Sequence, residues 1–427
     1  MGFNEISLYN PIFYQNWESE TLYNLAIWKN GLAFKKINFN KKGKPVIKIA
    51  ELKNGITSQT KFTNQIFDDG YFLKKGDMLF SWSGNPKTSI DVFWYRLQDG
   101  WVNQHIFKVK EKNGVNRKYF YFLLKYLKPN FVEIAKNKQT TGLGHVTSKD
   151  LKRVIVRIPK IDEQKKIATI LSSIDDKIEL NSQINKNLEQ IAQTIFKHWF
   201  IDFEFPNENG EPYKSSGGEM IESELGLIPK KWNVRSLNQI ADFLNGLAMQ
   251  KYRPKNDESH LPVLKIKELK IGKTSKNSDK CSINIEPKYI VDNGDVVFSW
   301  SGSLEVKLWC GNKAGLNQHL FKVTSANYPK WFYYYWTKHH IEDFRRIAED
   351  KTTTMGHIKR EHLRKAKVLD PGEIFFEKFG KVVNGLIELY INNEKEIKYL
   401  SQLRDILLPK LISGEIRVSN NNIKEGE

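Results

Sequence analysis

Two stretches of the chain carry apolar residues at heptad spacing. Counting from Ile167, the first positions of successive heptads are Ile167, Ile174, Asn181, Leu188 and Ile195. The fourth positions are Ile170, Lys177, Ile184 and Ile191, with Leu171 and Ile178 widening the stripe. At an offset of 212 residues the first positions are Phe379, Leu386, Asn393, Leu400 and Leu407, supported by Val382, Val383, Leu389, Tyr390, Ile397 and Leu403. Four heptads with a single central polar residue predict a coiled-coil seam, in which a buried Asn lowers stability but fixes alignment. One helix is expected to start after Ile158-Pro159, capped by Asp162, and to run to about Phe200; the other follows Asp370-Pro371-Gly372-Glu373. Each spans about 38 residues, or about 57 Å at ~1.5 Å per residue. Antiparallel pairing needs less connecting chain than parallel pairing, and it places Asn181 and Asn393 near a shared midpoint.

Ahead of each helix the pattern changes to short β-branched and aromatic runs. Val46-Ile47-Lys48-Ile49 and Val263-Leu264-Lys265-Ile266 predict strands. Met78-Leu79-Phe80 and Val296-Val297-Phe298 predict strands that follow a Gly-Asp turn, and the aromatic segments from Tyr119 to Tyr126 and Trp331 to Trp336 predict helices. These two regions repeat one another. Asn30-Gly31-Leu32-Ala33 returns as Asn245-Gly246-Leu247-Ala248, and Glu51-Leu52-Lys53 as Glu268-Leu269-Lys270. Gly76-Asp77 and Phe80-Ser81-Trp82-Ser83-Gly84 return as Gly294-Asp295 and Phe298-Ser299-Trp300-Ser301-Gly302. Asn103-Gln104-His105 with Phe107-Lys108-Val109 returns as Asn317-Gln318-His319 with Phe321-Lys322-Val323, and Thr140-Thr141 with Gly144-His145 as Thr353-Thr354 with Gly356-His357. The order is kept and the offset drifts only between 212 and 218, so the chain is a duplication. A period this long excludes a solenoid, whose units run to ~20–50 residues.

Length and composition fit that reading. The 427 residues correspond to two or three domains of ~150 residues. Lys and Arg exceed Asp and Glu by 67 to 49, a net +18, which points to a polyanionic partner. Two cysteines, Cys281 and Cys310, are read as too few for a disulfide framework or a four-ligand zinc site. The N-terminal residues lack a signal-peptide pattern and no run is apolar enough to span a bilayer, so a cytoplasmic location is expected.

Catalytic motifs are scarce. Gly272-Lys273-Thr274 lacks the earlier glycine of a phosphate loop, and no G-x-G-x-x-G opens a helix. Asn10-Pro11-Ile12-Phe13 only partly matches the Asn-Pro-Pro-Phe loop of amino-methyltransferases. Asp257 with Glu268 and Lys270 has the outline of a metal-dependent nuclease site. The first half keeps Glu51 and Lys53 without an aspartate before Asp68, which favours a salt-bridged strand end. His105, His145, His319 and His357 lack partners at ligand spacing, so no metal is assigned. The enzyme reading, with Asp257/Glu268/Lys270 or the Asn10 loop, and a freestanding DNA-binding regulator remain the alternatives.

Basic and amide-bearing loops suit DNA: Lys and Arg neutralise phosphates, while amides, hydroxyls and imidazoles reach base edges. The candidates in the first half are Lys35, Lys36, Lys41, Lys42, Lys44, Ser83, Asn85, Lys87, Gln104, His105, Lys138, Thr140 and Thr141. In the second they are Lys251, Arg253, Lys255, Ser301, Ser303, Gln318, His319, Lys351, Thr353 and Thr354. Residues shared by both halves suit scaffolding or phosphate contact, and divergent loops suit sequence discrimination.

The whole chain resembles the DNA-sequence specificity subunit of type I restriction–modification systems. The residues that carry this are Ile158-Pro159 with Asp162-Glu163-Gln164-Lys165-Lys166-Ile167-Ala168, Ile195-Phe196-Lys197-His198-Trp199-Phe200-Ile201-Asp202-Phe203, Glu224-Leu225-Gly226-Leu227-Ile228-Pro229-Lys230-Lys231-Trp232 and Leu408-Pro409-Lys410-Leu411-Ile412-Ser413-Gly414-Glu415-Ile416. The second helix departs from the family by opening Asp370-Pro371-Gly372-Glu373, without a Pro…Glu-Gln start. The resemblance implies an α+β architecture: two similar mixed α/β target-recognition domains, residues 1–158 and 232–370, separated by two long antiparallel coiled-coil helices, 159–201 and 371–413. Residues 202–231 form a linker and 414–427 a tail, and the duplication implies pseudo-two-fold symmetry. It further implies no catalysis in this chain, two methyltransferase subunits and motor-nuclease (restriction) subunits as partners on double-stranded DNA, and S-adenosylmethionine, ATP and Mg²⁺ held by those partners.

Overall fold

The computed structural model describes residues 17–35, 39–139, 142–255, 257–349 and 356–418. It divides into two compact units, residues 1–176 with 400–427, and residues 177–399.

In the first unit, four antiparallel strands lie in the order Ala26–Asn30, Ile106–Glu111, Met78–Ser81, Asp91–Trp94. A second sheet runs Phe62–Thr63, Lys44–Ile47, Gly100–Val102, Phe72–Leu73, with its central pair parallel. The second unit repeats this order strand for strand: Asp242–Asn245, Leu320–Thr324, Asp295–Ser299, Val306–Trp309 in one sheet, and Lys280–Ser282, His260–Leu264, Ala314–Leu316, Ile290–Val291 in the other. Some of the repeated residues serve this framework. Lys108 bonds to Asp77 at 3.0 Å and donates to the Phe72 carbonyl, tying one sheet to the other. Lys322 repeats the arrangement with Asp295 at 2.7 Å and the Ile290 carbonyl.

The predicted strands at 46–49 and 263–266 end early. Lys48 and Lys265 are N-caps of short helices, Ile49–Asn54 and Ile266–Ile271. The Glu-x-Lys repeat is therefore not a salt-bridged strand end. Glu51 turns back to accept from the Lys48 amide at 3.0 Å and from the Thr60 hydroxyl at 3.1 Å, satisfying a donor that the helix start leaves free. Glu268 is buried in the same place and accepts from the Ser278 hydroxyl.

The long helices span Ile161–Phe200 and Glu373–Ile412, 40 residues each, or about 60 Å. The first starts at Ile161, so Asp162 lies inside its first turn and is not the cap. The seam also sits differently. Leu171, Ala192 and Trp199 are buried and Ile178 is half-buried, whereas Lys177 and Ile191 are exposed. The second core line thus runs through Leu171, Ile178, Asn185, Ala192 and Trp199, one residue beyond the predicted fourth positions. Val382 and Leu389 are likewise exposed, and the buried or half-buried line of the second helix runs through Val383, Tyr390 and Ile397. A polar residue at Asn185 and a small one at Ala192 disguised the second line, while exposed Ile191 suggested a false one and Ile184 is half-buried.

In the second unit the helical segments pair antiparallel, through amides. Asn393 donates to Asn185 at 3.0 Å, Asn185 donates to Glu394 at 2.8 Å, and Asn181 donates to Glu396 at 2.8 Å. The partner of Asn393 is therefore Asn185, one turn beyond Asn181. In the first unit, Arg404 meets Asp175 at 3.0 Å and Arg417 meets Glu163 at 2.8 Å, also antiparallel.

Each module takes core residues from both helices. The first buries Ile167, Ala168 and Leu171 together with Leu411 and Ile412. The second buries Phe375, Val383, Ile387 and Ile391 together with Ala192, Phe196, Trp199 and Phe200. Residues 202–231 are mostly exposed but anchored at a few points, with Phe205, Ile228 and Pro229 buried. Phe205 stacks on Trp232 and Tyr213 with ring centroids at 5.0 and 4.6 Å, and Met220–Ser223 pairs with Gly226–Pro229.

Candidate nucleic-acid interface

The repeated islands that are far apart in the chain converge on one spot in each module. In the first, Trp82 follows the strand Met78–Ser81 and its indole N–H donates to Asn30 at 2.9 Å. Its ring stacks on Phe107 and lies 5.8 Å from the His105 ring. Gln104 and His105 share a side-chain hydrogen bond at 3.3 Å, and Ser83 pairs across to His145. Gly31 fits because a Cβ there would stand 2.2 Å from the Asn103 carbonyl oxygen. Partial burial, helped by the Lys48 charge, pushes His105 below its usual range, so its imidazole is neutral at pH 7 and both donates and accepts.

The second module rebuilds this cluster. The Trp300 indole donates to Asn245 at 3.0 Å, Trp300 and His319 lie 5.9 Å apart, and Gln318 meets His319 at 3.3 Å. Ser301 bridges to His357, and a Cβ at Gly246 would stand 2.3 Å from the Asn317 oxygen. One difference is visible: Ser301 is buried and bonds to His319 Nδ1 at 3.1 Å, whereas Ser83 is half-exposed.

Around this cluster the modules diverge. In the second, a cleft of about 700 Å³ is lined by Gln250, Arg253, Lys265, Lys276, Asn277, Lys280, Gln318 and His319, with Asp279 among them. In the first, a cleft of about 520 Å³ is lined by Phe39, Asn40, Lys41, Ser58, Lys61 and Phe62. Sequence reading picked out Arg253, Gln318, His319 and Lys41 but missed Gln250, Lys276, Asn277, Lys280, Asn40 and Lys61. The run Lys276-Asn277-Ser278-Asp279-Lys280 was the available signal, since it combines cations and amides in one loop.

The remaining candidates are spread out. Lys35, Lys42, Lys44, Lys87, Lys251, Lys255 and Ser303 are exposed, and the Lys44 ammonium sits 4.7 Å over the Phe72 ring. Asn85 accepts from the Lys87 and Thr88 amides and so caps the short helix Pro86–Ser89. Lys138 is paired with buried Asp150. Lys36, Thr140, Thr141, Lys351, Thr353 and Thr354 lie outside the described residues, as does the Asn10 loop.

Among the described residues no group of three or more His, Cys, Asp and Glu side chains is placed to hold a metal. Asp257 is exposed, and Glu268 faces inward to Ser278. No described helix is long and apolar enough to cross a membrane.

The family model described as the type I restriction modification DNA specificity domain matches residues 14–190 and 229–371. The chain is 30% identical over 338 residues to the type I restriction enzyme MjaIX specificity subunit of Methanocaldococcus jannaschii, covering 74% of this chain and 73% of that protein. It is 25% identical to the HindI specificity subunit of Haemophilus influenzae, covering 81% and 87%. Its fold is similar to the crystal structure of the type I restriction–modification S subunit from M. genitalium, with a TM-score of 0.56 at 16% identity over 94% of this chain and 97% of that one.

Proposed function

Since the chain belongs to the type I restriction–modification DNA specificity family, a non-catalytic family, we propose that it reads a bipartite duplex sequence, one half per module, and brings catalytic subunits to it. Two methyltransferase subunits and motor-nuclease subunits join this core. S-adenosylmethionine, ATP and Mg²⁺ act in those partners, and the assembly works in the cytoplasm.

The observation that supports this is the contrast inside each module. One polar cluster is built twice from the same residues, while the clefts beside it carry different side chains. A common frame with two contents suits one task performed on two targets. Within that reading the exposed cations hold phosphates, and the amides of the clefts reach base edges. The paired helices set the number of base pairs between the halves.

The test is to mix the chain with its methyltransferase subunits and map the modified bases by sequencing. A split recognition sequence, absent when this chain is omitted, is the expected result. Methylation unchanged by its omission would sink the proposal. Inserting one heptad into each long helix within the paired segments should lengthen the spacer and leave both half-sites unaltered.

A further inference from the structure

One apolar side chain stands out on the surface of the first module. Ile66 is 89% exposed, the most exposed of the large apolar residues among those described. A single exposed isoleucine is ordinarily unremarked; this one is held in place. Behind it, Phe67 packs edge-on against Trp101 at 5.2 Å and against Phe34 at 5.3 Å. Before it, the Gln65 amide donates to the Thr63 hydroxyl, and after it, the Gly70 amide donates to Asp68. The loop is thus pinned on both sides of Ile66.

Its surroundings connect to the shared cluster. Phe34 follows Leu32, whose carbonyl accepts from the Gln104 amide at 2.8 Å. Phe34 also stacks on Phe39, and the Lys48 ammonium that lies over Phe39 is the charge acting on His105. Exposed Lys35, Lys41 and Lys61 belong to the same segments. Strand register gives the corresponding position in the second module: Pro45 pairs with Phe62 and Pro262 with Lys280, so Ile66 corresponds to Asn284. Asn284 donates to Glu258 and stands beside Ile283, which is less exposed than Ile66. The most exposed apolar point therefore belongs to the first module; its loop also carries Asp68, bonded to Lys29 at 2.6 Å, and exposed Asp69, with exposed Lys35 and Lys61 on the neighbouring segments.

Of the groups that duplex DNA presents in its grooves, the thymine 5-methyl is the apolar one. We infer that Ile66 is a base-reading site that takes a thymine methyl group in the half-site of the first module. The inference rests on the DNA-recognition reading above. Covering one methyl group is worth about 0.8 kcal/mol, a roughly fourfold change in affinity.

The test uses the chain with its methyltransferase subunits and the mapped duplex, in which each thymidine in turn is replaced by deoxyuridine. At one position of one half-site, deoxyuridine should weaken binding about 3- to 10-fold. Ile66→Ala should bind thymidine and deoxyuridine equally there, with discrimination in the other half-site and the salt dependence unaltered. Equal affinity for both bases throughout, or a discrimination that survives Ile66→Ala, overturns the inference while leaving DNA recognition standing. So does a loss of methyltransferase association in Ile66→Ala, which would make Ile66 a protein contact. Failure to bind any duplex would instead remove the reading beneath it.

Discussion

The strands Gly100–Val102 and Ala314–Leu316 hold the same place in their modules, each parallel to its neighbour, with Trp101 opposite Val46 and Gly315 opposite Val263. The backbone is the same and the content is opposite. Trp101 fills its site and supports Phe67 and Phe72. Gly315 leaves room that Cys281 and Met249 occupy; a Cβ there would stand 2.4 Å from the Cys281 sulfur. The first module thus packs rings at the place where the second packs Cys281 and Met249. One position on a shared strand carries the largest side chain in one module and none in the other, with the strand pairing kept.

The largest expected effect comes from removing that difference. Trp101→Ala should cost the first unit about 3–5 kcal/mol, the usual loss for a large buried ring. Chemical denaturation followed by a probe in each unit should show only the first transition move. Trp101→Phe should be far milder, since the buried indole N–H has no hydrogen-bond partner among the described residues. If both variants shift both transitions alike, Trp101 is not a local support.

Acid should separate the modules next. Burial would raise the Asp91 carboxyl, but Lys125 and Lys128 outweigh it and hold the group below its usual range. Asp91 thus stabilises the first unit above about pH 4, and that contribution disappears as pH falls through the lowered value. In the second, burial pushes His339 and His340 down, and His340 also bonds to the Lys367 carbonyl. The unfolded chain takes up those protons first, so stability there declines from about pH 6.5 downward. Melting temperatures between pH 7 and 4 should fall for both units, because His105 is held down in the first as well, but more steeply for the second, which has two such histidines. His339→Gln with His340→Asn should flatten that decline below about pH 6.5. A first unit that falls as steeply as the second between about pH 6.5 and 5 would refute this contrast.

These contrasts also mark what could be seen in the chain beforehand. The duplication, the two helices and the islands were legible because identical residues recur in order and because a 3.5-residue period survives noise. The seam was misplaced by one residue, since Asn185 and Ala192 are weak hydrophobic signals at buried positions. Long-range assembly was not legible at all. Nothing local in Asn30, Trp82 or Gln104 states that they meet, because strand order decides it. The clefts stayed hidden for the same reason: Lys276 and Lys280 acquire meaning only beside His319. Lys138 and Asn85 looked available as a cation and an amide until Asp150 and a helix end were seen to hold them.

A smaller effect should appear where each module meets its helix. Gln164 is buried, accepts from the Asn116 amide at 2.8 Å and donates to the Pro159 carbonyl at 2.9 Å. The second junction lacks this glutamine and uses buried Asp370, which receives Arg235 and Tyr328, each at 2.6 Å. Burial and that carboxylate push the Tyr328 hydroxyl up to about 12. Gln164→Ala should cost about 1–3 kcal/mol by leaving the Asn116 and Pro159 groups unpaired. That loss should not vary with salt. Asp370→Asn should cost a similar amount, with a dependence on salt that the uncharged junction lacks. Equal salt responses at both junctions would erase the distinction.

The smallest effects concern single cations at the rims, and they separate a cation that meets DNA from one that supports the fold. Arg253 and Lys276 line the open cleft, and neither appears in an ion pair among the described residues. Lys138 is as basic but is committed to Asp150, whose carboxyl it helps to hold below the usual range against the effect of burial. If the first two neutralise phosphates, Arg253→Ala and Lys276→Ala should each reduce the slope of log affinity against log salt by about 1 and weaken binding at low salt. Lys138→Ala should leave that slope alone and lower the stability of the first unit, because the buried carboxylate loses its partner. Anisotropy titrations of one duplex at several salt concentrations, paired with denaturation of the same variants, read both quantities. A slope lost in Lys138→Ala but kept in Arg253→Ala would reverse the assignment and move the phosphate contacts away from the cleft.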